Sequence, residues 1–117
     1  MVDMTERYIY ECLLDCGIRP HLIGYAPIFE AIRELVTADR RQHIPYAELM
    51  DRVGELYGLR NSRHAVRDAI AKGTFDAEGT WSRQFSGKPR PSNTAFLYQA
   101  AEMVRDRVAM DRMLRDE

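Results

Sequence analysis

Apolar residues recur at helical intervals through nearly the whole chain. Tyr8, Ile9, Cys12, Leu13 and Cys16 form a first stripe after Thr5, a candidate cap, and Gly17 supplies a stop. Ile28, Ala31, Ile32, Leu35 and Val36 form a second stripe, with Pro27 early enough that its missing N–H does little harm. A third helix is predicted to begin at Pro45 and to bury Tyr46, Leu49, Met50, Val53, Leu56 and Tyr57 before Gly58. The fourth, NSRHAVRDAIAKGTF from Asn61, keeps Ala65, Val66, Ala69 and Ile70 on one side and ends at Gly73. From Gly73 to Pro91 the pattern breaks up, leaving a short helical turn around Trp81 to Phe85 with Trp81 as its anchor. Phe96, Leu97, Ala100, Ala101, Val104 and Val108 mark a long last helix, capped by Ser92 or Thr94 and running to about Leu114. No strand alternation, internal repeat or low-complexity linker is visible. The expectation is one compact all-α domain over residues 1–117, with about five to six helices.

Helices three and four are joined only by Gly58, Leu59, Arg60 and Asn61, the short glycine-containing turn of a helix-turn-helix, here over about residues 45–73. With Ser62 as cap, the apolar arc of helix four faces helix three. His64, Arg67, Asp68 and Ala71 then point outward, with Arg63 at the border, and Gly54 offers no side chain to obstruct a close crossing. Basic side chains at a helix N-terminus oppose its partial positive charge and cost a few tenths of a kcal/mol. A DNA reader explains their presence, because its second helix enters the major groove N-terminal end first, where an arginine can pair bidentately with guanine. An ordinary helical hairpin with solvated arginines has the same spacing.

Charge sharpens this picture. The net charge of the 117 residues is only −1, yet residues 59–90 hold seven Lys/Arg against three Asp/Glu, while residues 1–58 hold six against ten. A basic island on an acidic body suits one face for an anionic partner. At 45% apolar and 30% charged, the composition is that of a soluble globular domain. No apolar run approaches the ~20 residues of a membrane span, and no signal peptide is visible, so a cytoplasmic protein without membrane partners is expected. Cys12 and Cys16 stand four apart on an apolar stripe, which argues against a disulfide framework. With His21 they lack a fourth metal ligand, so core packing is the better reading and no metal site is assigned. His43 and His64 have no paired nucleophile, and Gly87-Lys88 lacks the rest of a phosphate loop. Neither an enzyme nor a cofactor or small-molecule substrate is expected.

The segments GIRPHLIGYAPIFEAI, ELYG at the end of helix three, SRHAVRDAI and GKPRPSNTAFLYQAAEMV follow one another in an order and spacing that resembles the DNA-binding effector domain of the sporulation initiation response regulators of endospore-forming bacteria. The resemblance runs from about Cys12 to Val108. It implies a six-helix domain whose helix-turn-helix binds promoter DNA, usually as a tandem pair, under control of a phosphorylated receiver domain; the present length is spent on the effector part alone. The turn before helix four and the segment before Lys88 are both shorter than the family pattern. On this reading Arg63, His64, Arg67 and Asp68 face the bases, while Arg60, Ser62, Lys72, Lys88 and Arg90 face phosphates. Asp68 can accept from a cytosine amino group, but would repel a phosphate. Net acidity and Asp68 leave a second reading open, a helical protein-interaction domain that has lost DNA binding. Met103, Met110 and Met113 would then line a partner surface, although helix packing is the better reading of them.

Overall fold

The computed structural model describes residues 4–38, 43–73 and 91–115. All regular structure among them is helical: α1 (Thr5–Asp15), α2 (Tyr25–Thr37), α3 (Tyr46–Tyr57), α4 (Ser62–Ala71) and α5 (Asn93–Arg115). The expected all-α domain is what the chain forms. The turn expected around Trp81 to Phe85 lies outside the described residues. No helix among the described residues is long and apolar enough to cross a membrane.

Each helix contributes its apolar stripe to one core. Ile9, Cys12, Leu13 and Cys16 of α1 and its end share this core with Ile28, Ala31 and Ile32 of α2, Leu49, Met50 and Val53 of α3, and Val66 and Ala69 of α4. Phe96, Leu97, Ala100 and Val104 put the first half of α5 at the centre, where it touches α1, α2 and α4. Burial of this kind, worth ~1.5–3 kcal/mol per large side chain, is what stabilises helices of such modest length.

The helix ends follow backbone hydrogen bonding more than cap sequence. Met4, not Thr5, occupies the cap position of α1 and makes no side-chain bond there; Thr5 is buried in the first turn. Ser92 does cap α5, its Oγ accepting from the Ala95 N–H at 3.1 Å. At the end of α3 Gly58 takes φ 65° and ψ 31°, the left-handed conformation that glycine adopts without penalty. There the Leu59 N–H reaches back to the Gly54 carbonyl at 2.8 Å. Leu56 and Tyr57, expected to be buried, lie at the surface. Leu56 is 60% exposed and Tyr57 42%, because the last turn of α3 runs past the elements that cover Leu49 and Val53.

The start of α2 comes very close to α4. A Cβ on Gly24 would stand 2.1 Å from the Ala65 carbonyl oxygen and 2.9 Å from the Ala69 Cβ. Only a residue without a side chain lets the two backbones meet at this depth. The cap position of α2 therefore sets how far α4 is seated.

Candidate nucleic-acid interface

Four residues separate α3 from α4, and the cap of α4 is Asn61. Its Oδ1 accepts from the His64 N–H at 3.0 Å, satisfying one of the free donors of the first turn. Ser62, expected both as cap and as a phosphate contact, is instead the first helical residue and points inward. Its Oγ donates to the Met50 carbonyl at 2.7 Å and the residue is only 8% exposed. Its hydroxyl is spent on binding α4 to α3 and is withheld from any external ligand. Gly54 takes part in the same contact, since a Cβ there would stand 3.2 Å from Ser62 Oγ.

With Ser62, Val66, Ala69 and Ile70 turned to the core, Arg63, His64, Arg67 and Asp68 are exposed. Arg60 is exposed in the turn. Among the described residues no carboxylate lies within ion-pair distance of Arg60, Arg63 or Arg67. Lys72 and Asp68 differ, because they form an i,i+4 pair at 3.0 Å. Lys72 is therefore partly neutralised, and Asp68 is answered within its own helix. Lys88 and Arg90 lie outside the described residues.

Arg63 leans sideways from the centre of this face. Its guanidinium carbon stands 5.6 Å from the centre of the Tyr46 ring, within cation–π range. Asn93, the first residue of α5, links the surroundings through its Nδ2, which donates to Tyr46 Oη at 2.9 Å and to the Arg63 carbonyl at 3.0 Å. The first turns of α3, α4 and α5 are thus held together at one point. Beside it opens a concavity of about 600 Å³ whose walls include Tyr46, Asn61, Arg63, Arg67, Asn93 and Thr94. Further back the Tyr98 hydroxyl donates to the Ile44 carbonyl at 2.5 Å, and the His43 ring lies against Tyr98 at 5.7 Å. His43 is accounted for by that stacking.

Tyr46 and Asn93 were not expected at this face. Tyr46 fitted an apolar stripe, and nothing in its spacing shows that its ring edge reaches α4. Asn93 stood out only in the family-like segment, and its bonds cross about thirty to fifty residues of sequence. The cysteines lie elsewhere, in the core. Burial pushes the Cys12 thiol well above its ordinary pKa, and the neighbouring Cys16 adds to the shift. Among the described residues no group of three or more His, Cys, Asp or Glu is placed to hold a metal ion.

Comparison with known families, with curated proteins and with solved structures finds no match to this chain.

Proposed function

We propose that this chain is a sequence-specific double-stranded DNA-binding module of a transcriptional regulator, of the kind that the effector domain of the sporulation initiation response regulators represents, with α3 and α4 as its helix-turn-helix. The observation that carries the reading is the set of exposed arginines, Arg60, Arg63 and Arg67, that have no carboxylate partner among the described residues. An arginine without a carboxylate partner keeps its five donors and its full charge for an outside acceptor. Arg67, one turn inside α4, has the reach to meet a guanine edge in the major groove. Pairing of two copies on adjacent sites and work in the cytoplasm belong to the same reading.

Selection from random duplexes by gel shift at two salt concentrations tests it. Enrichment of a defined sequence, with affinity falling steeply as salt rises, is the expected result. Absence of binding to any selected duplex at low salt overturns it. The second reading, a helical protein-interaction domain, rests on a different observation. Met110, Met113 and Leu114 are 64%, 68% and 67% exposed on the last turns of α5, beyond the final core residue Val108.

A further inference from the structure

The exposed arginines of α4 are not equivalent, and the difference assigns them separate tasks. Arg67 has neither an ion pair nor a ring contact among the described residues, whereas Arg63 is laid over Tyr46. Tyr46 is itself held, since its hydroxyl accepts from Asn93 and its body packs against the core. The Arg63 backbone is tied by the same amide, through its carbonyl. Both ends of Arg63 are therefore restrained toward α3 and α5, at the wall of the concavity and off the outward centre of α4. A guanidinium tethered to one side of a reading helix cannot follow the bases in the groove.

We propose that Arg63 is a clamp for one phosphodiester of the nucleic-acid backbone and that Tyr46 is the residue that positions it, leaving Arg67 as the side chain that reads a base. This rests on the DNA-binding reading above. A cation–π contact with an aromatic ring makes no hydrogen bond, so the forked N–H donors of the guanidinium stay open to a phosphate. The ring also limits the rotamers that Arg63 would otherwise lose on binding, so that less ordering entropy opposes the contact.

The experiment uses the whole chain, the duplex it selects, a scrambled duplex of equal length, and the same selected duplex carrying single neutral methylphosphonates. Arg63→Ala is expected to weaken both duplexes by the same several-fold factor and to lower the slope of log affinity against log salt by about 0.9. At one methylphosphonate position the unmodified protein should show that same loss, and Arg63→Ala should show no further one. Tyr46→Leu should reproduce part of the Arg63→Ala effect and add nothing to it in the double variant, while Tyr46→Phe, which keeps the ring, should retain the slope. Arg67→Ala should instead narrow the gap between the selected and scrambled duplexes.

If Arg63→Ala relaxes discrimination with an unchanged salt slope, or if Tyr46→Leu and Arg63→Ala act additively, the assignment falls although DNA binding stands. If no duplex binds at all, the DNA reading fails and takes the clamp with it. Thermal melts accompany each variant. Arg63 is exposed, so its replacement is expected to fold and to decide the matter even where Tyr46→Leu is destabilised.

Discussion

Two groups of arginines on this chain have opposite surroundings. On the helices α1, α2 and α5, Arg7 meets Glu11, Arg33 meets Glu30 and Glu6, Arg105 meets Glu102, Arg107 meets Glu11, and Arg115 meets Asp111, at 2.6 to 3.3 Å. Arg107 also lies over the Tyr8 ring at 4.2 Å, and Arg105 donates to the Leu35 carbonyl at the end of α2. On α4 and the turn before it, Arg60, Arg63 and Arg67 have no carboxylate partner among the described residues, and only Arg63 has a ring beside it, that of Tyr46. Exposed pairs of the first kind contribute ~0–1 kcal/mol each and are screened by salt, so their value to the fold is small. Their effect on the field is larger, because paired charge is neutral at a distance. The difference teaches that total charge is a poor guide here. A chain of net charge −1 can still present a positive face, provided that its acids are spent elsewhere.

The largest test of this contrast removes the seat of α4. Gly24→Ala forces a methyl against the Ala65 carbonyl, and the expected cost is about 3 kcal/mol of stability, read as a lower urea midpoint. A near-unchanged midpoint would mean that α4 can stand away from α2, and with it the whole arginine face.

Next in size is the unpaired group itself. Arg67→Ala is expected to cost about 1–3 kcal/mol of affinity for a selected duplex and to relax preference at one base pair, with the melt unchanged. An equal loss on selected and scrambled duplexes would move Arg67 to the phosphates.

Ser62→Ala separates the fold from the face. Losing the bond to Met50 should lower stability by about 1 kcal/mol while leaving the salt slope of binding where it was, which a titration at several salt concentrations reads directly. A smaller slope would restore Ser62 as a phosphate contact.

Asp68→Asn sharpens the comparison by making α4 wholly unpaired. Lys72 is released, so affinity should rise several-fold for any duplex, with stability changed by less than about 0.5 kcal/mol. The smallest effect is expected from Arg7→Ala, on the paired side. Stability and affinity should both stay within about 0.5 kcal/mol, and a clear loss of DNA binding there would erase the distinction between the two groups.

Much of this architecture was legible in the order of residues. Stripes at helical spacing mark all five helices of the described residues. Gly58 marks the end of α3, and the four residues up to Asn61 mark the turn to α4, because backbone periodicity and the left-handed conformation depend on residues that are neighbours in the chain. The basic island and the exposure of Arg63, His64 and Arg67 were legible for the same reason. Other features depend on where one helix crosses another. The stripe of α3 continues through Leu56 and Tyr57, but only the neighbours of α3 decide that it is uncovered there. Asn61 and Ser62 are both good cap residues, and the hydrogen bond to the Met50 carbonyl holds Ser62 inward. The seat of Gly24 on Ala65, the cation–π contact of Arg63 with Tyr46 and the double donation by Asn93 join residues that lie about seventeen to forty-seven positions apart. Local sequence therefore determined the helices, the sign of their faces and the ion pairs three or four residues apart, such as Arg7–Glu11 and Lys72–Asp68, while the tertiary structure decided the pairs that cross helices, Arg33–Glu6 and Arg107–Glu11. An ion pair needs two side chains within about 4 Å, and no spacing rule carries that distance from one helix to the next.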